Sequence, residues 1–287
     1  MTAPNARLPV AEVSAVRHHA GVNDGEPIAS RPDFDAAVEA FLLSIVKPSR
    51  RPEPRTAARL VSVEEQRIRS HGVMVSAWRL GADPAVLLIH GWEDNHSLWS
   101  PLIDSLADRG RSVIALDMPA HGFSDGERGL NPEAIDAVQA VSTALGPVDA
   151  VVAHSSGAGV AAMAIMEGLP AGRAVLIAPP LRGDDRFLRY AKRLGVPEDV
   201  AAAARAIYNE RLGRDRAAMD LRTALPTLDV NLLLVHSTDD ERMPFVDSQE
   251  VVALCPRADL FAVHGLAHRK TARDPEVVTH IADFVTI

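Results

Sequence analysis

The stretch Val148-Asp149-Ala150-Val151-Val152-Ala153-His154-Ser155-Ser156-Gly157-Ala158-Gly159-Val160-Ala161-Ala162-Met163-Ala164 decides the fold class. Val148 to Ala153 is a short apolar run of the kind that forms a strand buried on both faces. Gly157 to Glu167 is small and apolar enough for a helix packed close against a sheet. Between them lies a serine with no room for a loop. Such a strand-to-helix turn holds the serine in strained geometry at the carboxyl end of the strand and aims the helix amino-terminus at it.

Working outward, strands and helices alternate. Leu60–Arg69 and Val73–Leu80 read as a hairpin across Ser70-His71-Gly72. Further strands are expected at Ala85–Ile89, Ser112–Leu116, Ala174–Ala178, Asn231–Val235 and Leu260–Val263. Helices are expected at His96–Arg109, from the Asn131-Pro132 cap to Leu145, at Phe245–Leu254 and at Pro275–Val285. This pattern predicts an α/β fold with a mostly parallel sheet and helices on both faces. Two parts stand apart. Residues 1–55 form an N-terminal extension with one helix, in which Phe34, Val38, Phe41, Leu42 and Ile45 share a face, followed by a linker over Lys47–Pro54. The main domain is then 56–287, and within it about 179–226 holds no strand and reads as a helical insertion. That insertion carries ten Arg/Lys against seven Asp/Glu, whereas the whole chain is acidic.

Composition narrows the function classes. The chain has 287 residues, 47% hydrophobic and 24% charged, which excludes a wholly disordered or collagen-like protein. A net charge of −8 argues against a general nucleic-acid binder, and no phosphate-cradling glycine loop is visible. Cys255 is the only cysteine, so neither an intramolecular disulfide nor a cysteine-based metal site is available. The apolar runs fall far short of the ~20 residues of a membrane span. Met1–Ser14 lacks the pattern of a secretory signal, so a cytoplasmic location is expected. No metal or cofactor is expected. His264 and His268 are four apart, but Gly265 between them argues against the helix that would bring both onto one metal.

In a parallel sheet the ligand site lies at the carboxyl ends of the strands. There the chain places His90-Gly91-Trp92, His154-Ser155-Ser156-Gly157, His236-Ser237-Thr238-Asp239-Asp240 and His264-Gly265-Leu266-Ala267-His268. A serine needs an adjacent base to act as a nucleophile, the base needs an orienting acid, and a tetrahedral intermediate needs two donors for its oxyanion. Ser155, His268 and either Asp240 or Asp239 are candidates for the first three roles. The backbone N–H groups of Ser156 and Trp92 are candidates for the last. The strict pattern Gly-x-Ser-x-Gly occurs instead at Gly122-Phe123-Ser124-Asp125-Gly126, but Ser124 is followed by loop and lacks the strand-to-helix context. Asp117, His121 and Ser124 read as structural. His90 and His154 read as residues that orient backbone.

These segments, with Leu116-Asp117-Met118-Pro119-Ala120-His121-Gly122-Phe123-Ser124-Asp125 and Asp240-Glu241-Arg242-Met243-Pro244, resemble the α/β-hydrolase superfamily over about residues 60 to 285. The resemblance implies an eight-stranded sheet, a cap over the site formed by the insertion, and Asp240 as the acid, four residues before Pro244. Ala153 and Ser237 stand where the family usually has glycine, and Ala120 departs from its Pro-Gly-His-Gly loop. The expected activity is that of a serine hydrolase acting on a carboxylic ester of a small molecule through an acyl-enzyme. A thioesterase, amidase or carbon–carbon hydrolase would use the same groups, and a non-catalytic ligand-binding protein on this fold is the alternative of another class. Trp92, Phe187, Leu188 and Tyr190 are candidate pocket walls. The sequence leaves the substrate and the oligomeric state open.

Overall fold

The structure, a computed structural model, describes residues 32–48, 57–129, 131–182, 185–212 and 220–286. Eight strands form one sheet: β1 (Gln66–Ser70), β2 (Val73–Leu80), β3 (Ala85–Ile89), β4 (Ser112–Leu116), β5 (Val148–His154), β6 (Arg173–Ile177), β7 (Asn231–Ser237) and β8 (Ala258–Val263), in the order β1-β2-β4-β3-β5-β6-β7-β8. Only β2 runs antiparallel to its neighbours; every pairing from β4 to β8 is parallel.

The middles of the central strands are apolar because both faces are covered. On β3, Ala85, Leu87 and Ile89 face one core with α3 (Asn131–Leu145), α4 (Ser156–Met166) and α8 (Phe245–Leu254). Val86 and Leu88 face the other core, with α2 (Ser100–Asp108) and α10 (Pro275–Thr286). Each fully buried leucine contributes about 1.5–3 kcal/mol relative to exposure.

Two local expectations are corrected. The first hairpin strand begins at Gln66, not Leu60: Ala58–Leu60 is a 3₁₀ turn that buries Leu60 in the α2 core, while Arg59 pairs with Asp104 and Asp108 of α2. The segment 96–109 is not one helix. A 3₁₀ turn at His96–Trp99 precedes α2, because Pro101 lacks an N–H and fits only in a first turn.

The segment between β6 and β7 contains α5 (Asp185–Leu194), α6 (Glu198–Leu212) and the short α7 (Leu221–Ala224), with no strand among its described residues. Its two ends are clamped together. Arg182 pairs with buried Asp247 at 2.6 Å and with Glu250, and Arg222 binds the same Glu250 at 2.9 Å. The N-terminal helix α1 (Pro32–Val46) lies on this insertion. Val38, Phe41, Leu42 and Val46 form a third cluster with Ala191, Val200, Ala201, Ala204 and Tyr208. The end of α1 is tied to the main domain where Gly129 N–H donates to the Val46 carbonyl at 2.7 Å. The arm before residue 32 and most of the expected linker lie outside the described residues. No helix among the described residues is long and apolar enough to cross a membrane.

Candidate active site

Ser155 sits at the β5–α4 junction with φ 53° and ψ −125°, a conformation that L-residues rarely adopt. Such strain, about 1–3 kcal/mol, persists only where the surroundings over-determine it. Here they do. Ser155 N–H donates to the Ile177 carbonyl at 2.9 Å, and Gly157 lets α4 approach β3. A Cβ at Gly157 would lie 2.2 Å from the His90 carbonyl oxygen, so no larger residue fits without backbone movement. Glu93, Ala120, Ala178 and Ala267 also have positive φ, and all four follow strands at this end of the sheet.

Ser155 Oγ lies 2.8 Å from His268 Nε2, and His268 Nδ1 lies 2.8 Å from Asp240 Oδ2. The hydroxyl donates to Nε2 and Nδ1–H donates to the carboxylate. Asp240 Oδ1 accepts from the N–H groups of Arg242 and Met243 at 2.8 and 3.0 Å. Burial opposes the Asp240 charge, yet hydrogen bonds from His236 and His268, the charge of His268 and the Met243 amide together hold its carboxyl far below the usual range.

Asp239 faces elsewhere. Its Oδ1 accepts from the Ser237 hydroxyl and from the N–H groups of Gly265 and Ala267, bracing the loop before His268. The Ser237 hydroxyl is the first cause of its lowered pKa. His264 bonds Thr238 Oγ1 at 2.8 Å instead of joining His268. No group of three or more His, Cys, Asp or Glu among the described residues could hold a metal ion.

The loop after β3 lies against the serine turn. A Cβ on Gly91 would come 3.1 Å from Ser155 Cβ. Among the described residues no hydrogen bond takes up the N–H of Trp92 or of Ser156, the first residue of α4. Two histidines set the backbone here. His90 Nε2 accepts the Met118 N–H at 2.9 Å, so its Nδ1–H donates to the Gly91 carbonyl at 2.7 Å. Burial, then the charge of His121, pushes His90 down to about 3, which keeps it neutral. His154 donates from Nε2 to the His268 carbonyl at 3.0 Å.

Ser124, the serine of the strict motif, is fully committed: Oγ donates to the Asp117 carbonyl at 2.5 Å and accepts the Ser76 N–H at 2.8 Å. Asp117 holds the same loop by accepting from the N–H groups of His96 and Phe123. Of the expected pocket walls, Trp92 packs edge-on to His121 and Leu188 is exposed. The Tyr190 ring stacks on Phe41 of α1 at 6.0 Å and lies under Arg193. The side chain of Phe187 lies outside the described residues.

Sequence reasoning gave no role to His236. It is buried at the end of β7, with Nε2 3.2 Å from the Met243 carbonyl and 3.5 Å from Asp240 Oδ2, and Nδ1 2.7 Å from Ser248 Oγ. The available signal was a polar ring directly after an apolar strand.

Residues 84–210 match the family described as alpha/beta hydrolase fold. Over that stretch the chain is similar to this family. Among curated proteins, it is 30% identical over 150 residues, 52% of this chain, to a pimeloyl-(acyl-carrier protein) methyl ester esterase of Xanthomonas campestris pv. campestris. The chain spans about half, 55%, of the length of that relative. The protein of the same name from Xanthomonas oryzae pv. oryzae is 26% identical, over 66% of this chain and 89% of its own. Among solved structures, a Pyrococcus furiosus esterase aligns with a TM-score of 0.66 and 20% identity, covering 84% of this chain and 97% of its own. A meta-cleavage product hydrolase from Pseudomonas fluorescens aligns at 0.59 and 19%, covering 78% and 97%. These two likenesses speak for the fold.

Proposed function

We propose that the chain is a serine hydrolase that cleaves a carboxylic ester of a small molecule through an acyl-enzyme at Ser155. One observation carries the reading: the continuous line Ser155 Oγ, His268 and Asp240, with both links at 2.8 Å, beginning at a strained turn. The esterase names of the curated relatives favour an ester over an amide or thioester.

In this reading His268 Nε2 takes the Ser155 proton as Oγ attacks the ester carbonyl. Asp240 holds Nδ1–H in place and offsets the imidazolium charge that forms. The N–H groups of Trp92 and Ser156 receive the oxyanion, aided by the α4 amino-terminus. His268 then returns the proton to the leaving alkoxide, and a water activated by the same ring hydrolyses the acyl-enzyme. Residues 179–226, with α1 laid on them, act as the cap. Ala153 and Ser237, which replace family glycines, do not disturb the line: Ala153 stays in register between Ile89 and Leu176, and the Ser237 hydroxyl donates to Asp239.

A panel of p-nitrophenyl and methyl esters of varied acyl length tests the proposal. The wild type should turn over at least one ester, and Ser155→Ala should lower kcat by about 10⁴-fold or more. Undiminished hydrolysis by Ser155→Ala would remove the serine from the mechanism.

A further inference from the structure

The proposed machinery comes from three separate segments: Ser155 at the end of β5, His268 in α9 (Ala267–Lys270), and the Trp92 amide after β3. One buried side chain touches all three. His154 is bonded to Ser155 along the chain, and its Nε2–H reaches the His268 carbonyl at 3.0 Å. The two imidazole rings lie 5.0 Å apart between centroids. Its Nδ1 faces Gly91, where a built Cβ would lie 3.0 Å from that nitrogen.

His268 needs such support. Its helix is a single turn, entered through Ala267 at a φ of 50°, too short to place a backbone by its own hydrogen bonds. The Thr271 hydroxyl takes up the Ala267 carbonyl, and His154 takes up the next one. The carbonyl can only accept, so Nε2 of His154 carries the proton. Its Nδ1 is buried and has no hydrogen-bond partner among the described residues. Burial, then the charge of His268, pushes His154 down to about 4. The ring is therefore neutral at neutral pH and places no second cation beside the imidazolium that His268 becomes.

We infer that His154 is the positioning residue that fixes the spacing of nucleophile, base and oxyanion loop, holding His268 through its backbone carbonyl. The inference rests on the proposed roles of Ser155 and His268. It assigns His154 no contact with the reacting atoms.

Three substitutions test it. Gln places an amide N–H near the position of Nε2, Asn places one near Nδ1 where it falls short of the carbonyl, and Phe keeps the ring without a donor. Each protein is titrated with a fluorophosphonate to count competent sites, then assayed on a p-nitrophenyl ester. An error of 1 Å in reacting geometry costs on the order of 10²-fold. His154→Phe and His154→Asn should therefore lose about 10–100-fold in kcat per titrated site, with KM within about twofold. Their fluorophosphonate labelling should slow in parallel, and His154→Gln should recover most of both rates. Wild-type kcat per titrated site in the Asn variant, or a Gln variant no better than Asn, would overturn the inference. If the Phe variant does not fold, the comparison of Gln with Asn decides alone. A wild type that neither hydrolyses esters nor labels would instead sink the functional reading itself, and the inference with it.

Discussion

Asp240→Asn separates a structural carboxylate from an orienting one. Oδ1 of Asp240 receives two N–H donors, from Arg242 and Met243, whereas Oδ2 faces His268 Nδ1 at 2.8 Å. An asparagine must present its oxygen to the two amides. The opposite flip would set its NH₂ against both and leave two donors unpaired, at about 1–3 kcal/mol each. The NH₂ group therefore points at His268 Nδ1, which can accept only if its proton has moved to Nε2. Nε2–H then faces Ser155 Oγ and cannot take the hydroxyl proton. A wrong-tautomer substitution of this kind lowers kcat by about 10⁴-fold in the serine protease template, which corresponds to about 5 kcal/mol in the barrier. Folding should suffer little, about 1–2 kcal/mol, because charge-assisted bonds become neutral ones while every donor keeps a partner. The assay is kcat on a p-nitrophenyl ester at pH 8, with thermal unfolding as the control. Asp239→Asn, whose carboxylate only accepts from the 265–267 loop and Ser237, should stay within about tenfold of wild type. A folded Asp240→Asn protein with less than a tenfold loss would refute the tautomer argument.

Three further outcomes are expected. Ser124→Ala should leave fluorophosphonate labelling intact but cost about 1–3 kcal/mol in urea unfolding, because the Ser76 N–H loses its acceptor; loss of labelling in a folded variant would make Ser124 the nucleophile instead. His90 and His154 are lowered from 6.5 to about 3 and about 4, so the unfolded chain binds more protons than the native one between pH 4 and 6.5. Their stabilisation is complete above pH 6.5 and declines as pH falls, with a slope of about 3 kcal/mol per pH unit for two protons; equal urea midpoints at pH 7.5 and pH 5 would contradict it. Phe41→Ala should weaken α1 docking by about 3–5 kcal/mol and raise amide exchange in α1 and α6. Protection in β3 and β5 should be unchanged, because α1 belongs to a cluster separate from both sheet cores, and a uniform loss would join them into one cooperative unit.

The sheet was legible because its strands obey a local rule: a strand covered on both faces is apolar along its buried length, as β3 is throughout and β4 and β5 are over residues 113–116 and 150–153. The elbow was legible for the same reason, since strand, serine and small-residue helix are contiguous. Where the reading failed, a local pattern was overridden by packing elsewhere. Leu60 is apolar enough for a strand but is drawn under α2, and Pro101 divides what looked like a single helix. Asp239 and Asp240 are adjacent, so residue type alone leaves both open; the family register points to Asp240, and the two side chains point to different partners. One sequence does not say which face of α5 meets α1, so the stacking of Tyr190 on Phe41 was not legible. The braces by His154 and Arg182 join residues far apart in the chain, so no spacing announces them.

The central claim is that Ser155 becomes covalently bonded during turnover. The most direct measurement is to react the wild type with a fluorophosphonate, follow the loss of esterase activity, and locate the adduct by peptide mass spectrometry. One adduct per chain on Ser155, formed in step with inactivation, is the predicted result. An adduct on Ser124 or any other residue, or inactivation that leaves Ser155 unmodified, would contradict the account.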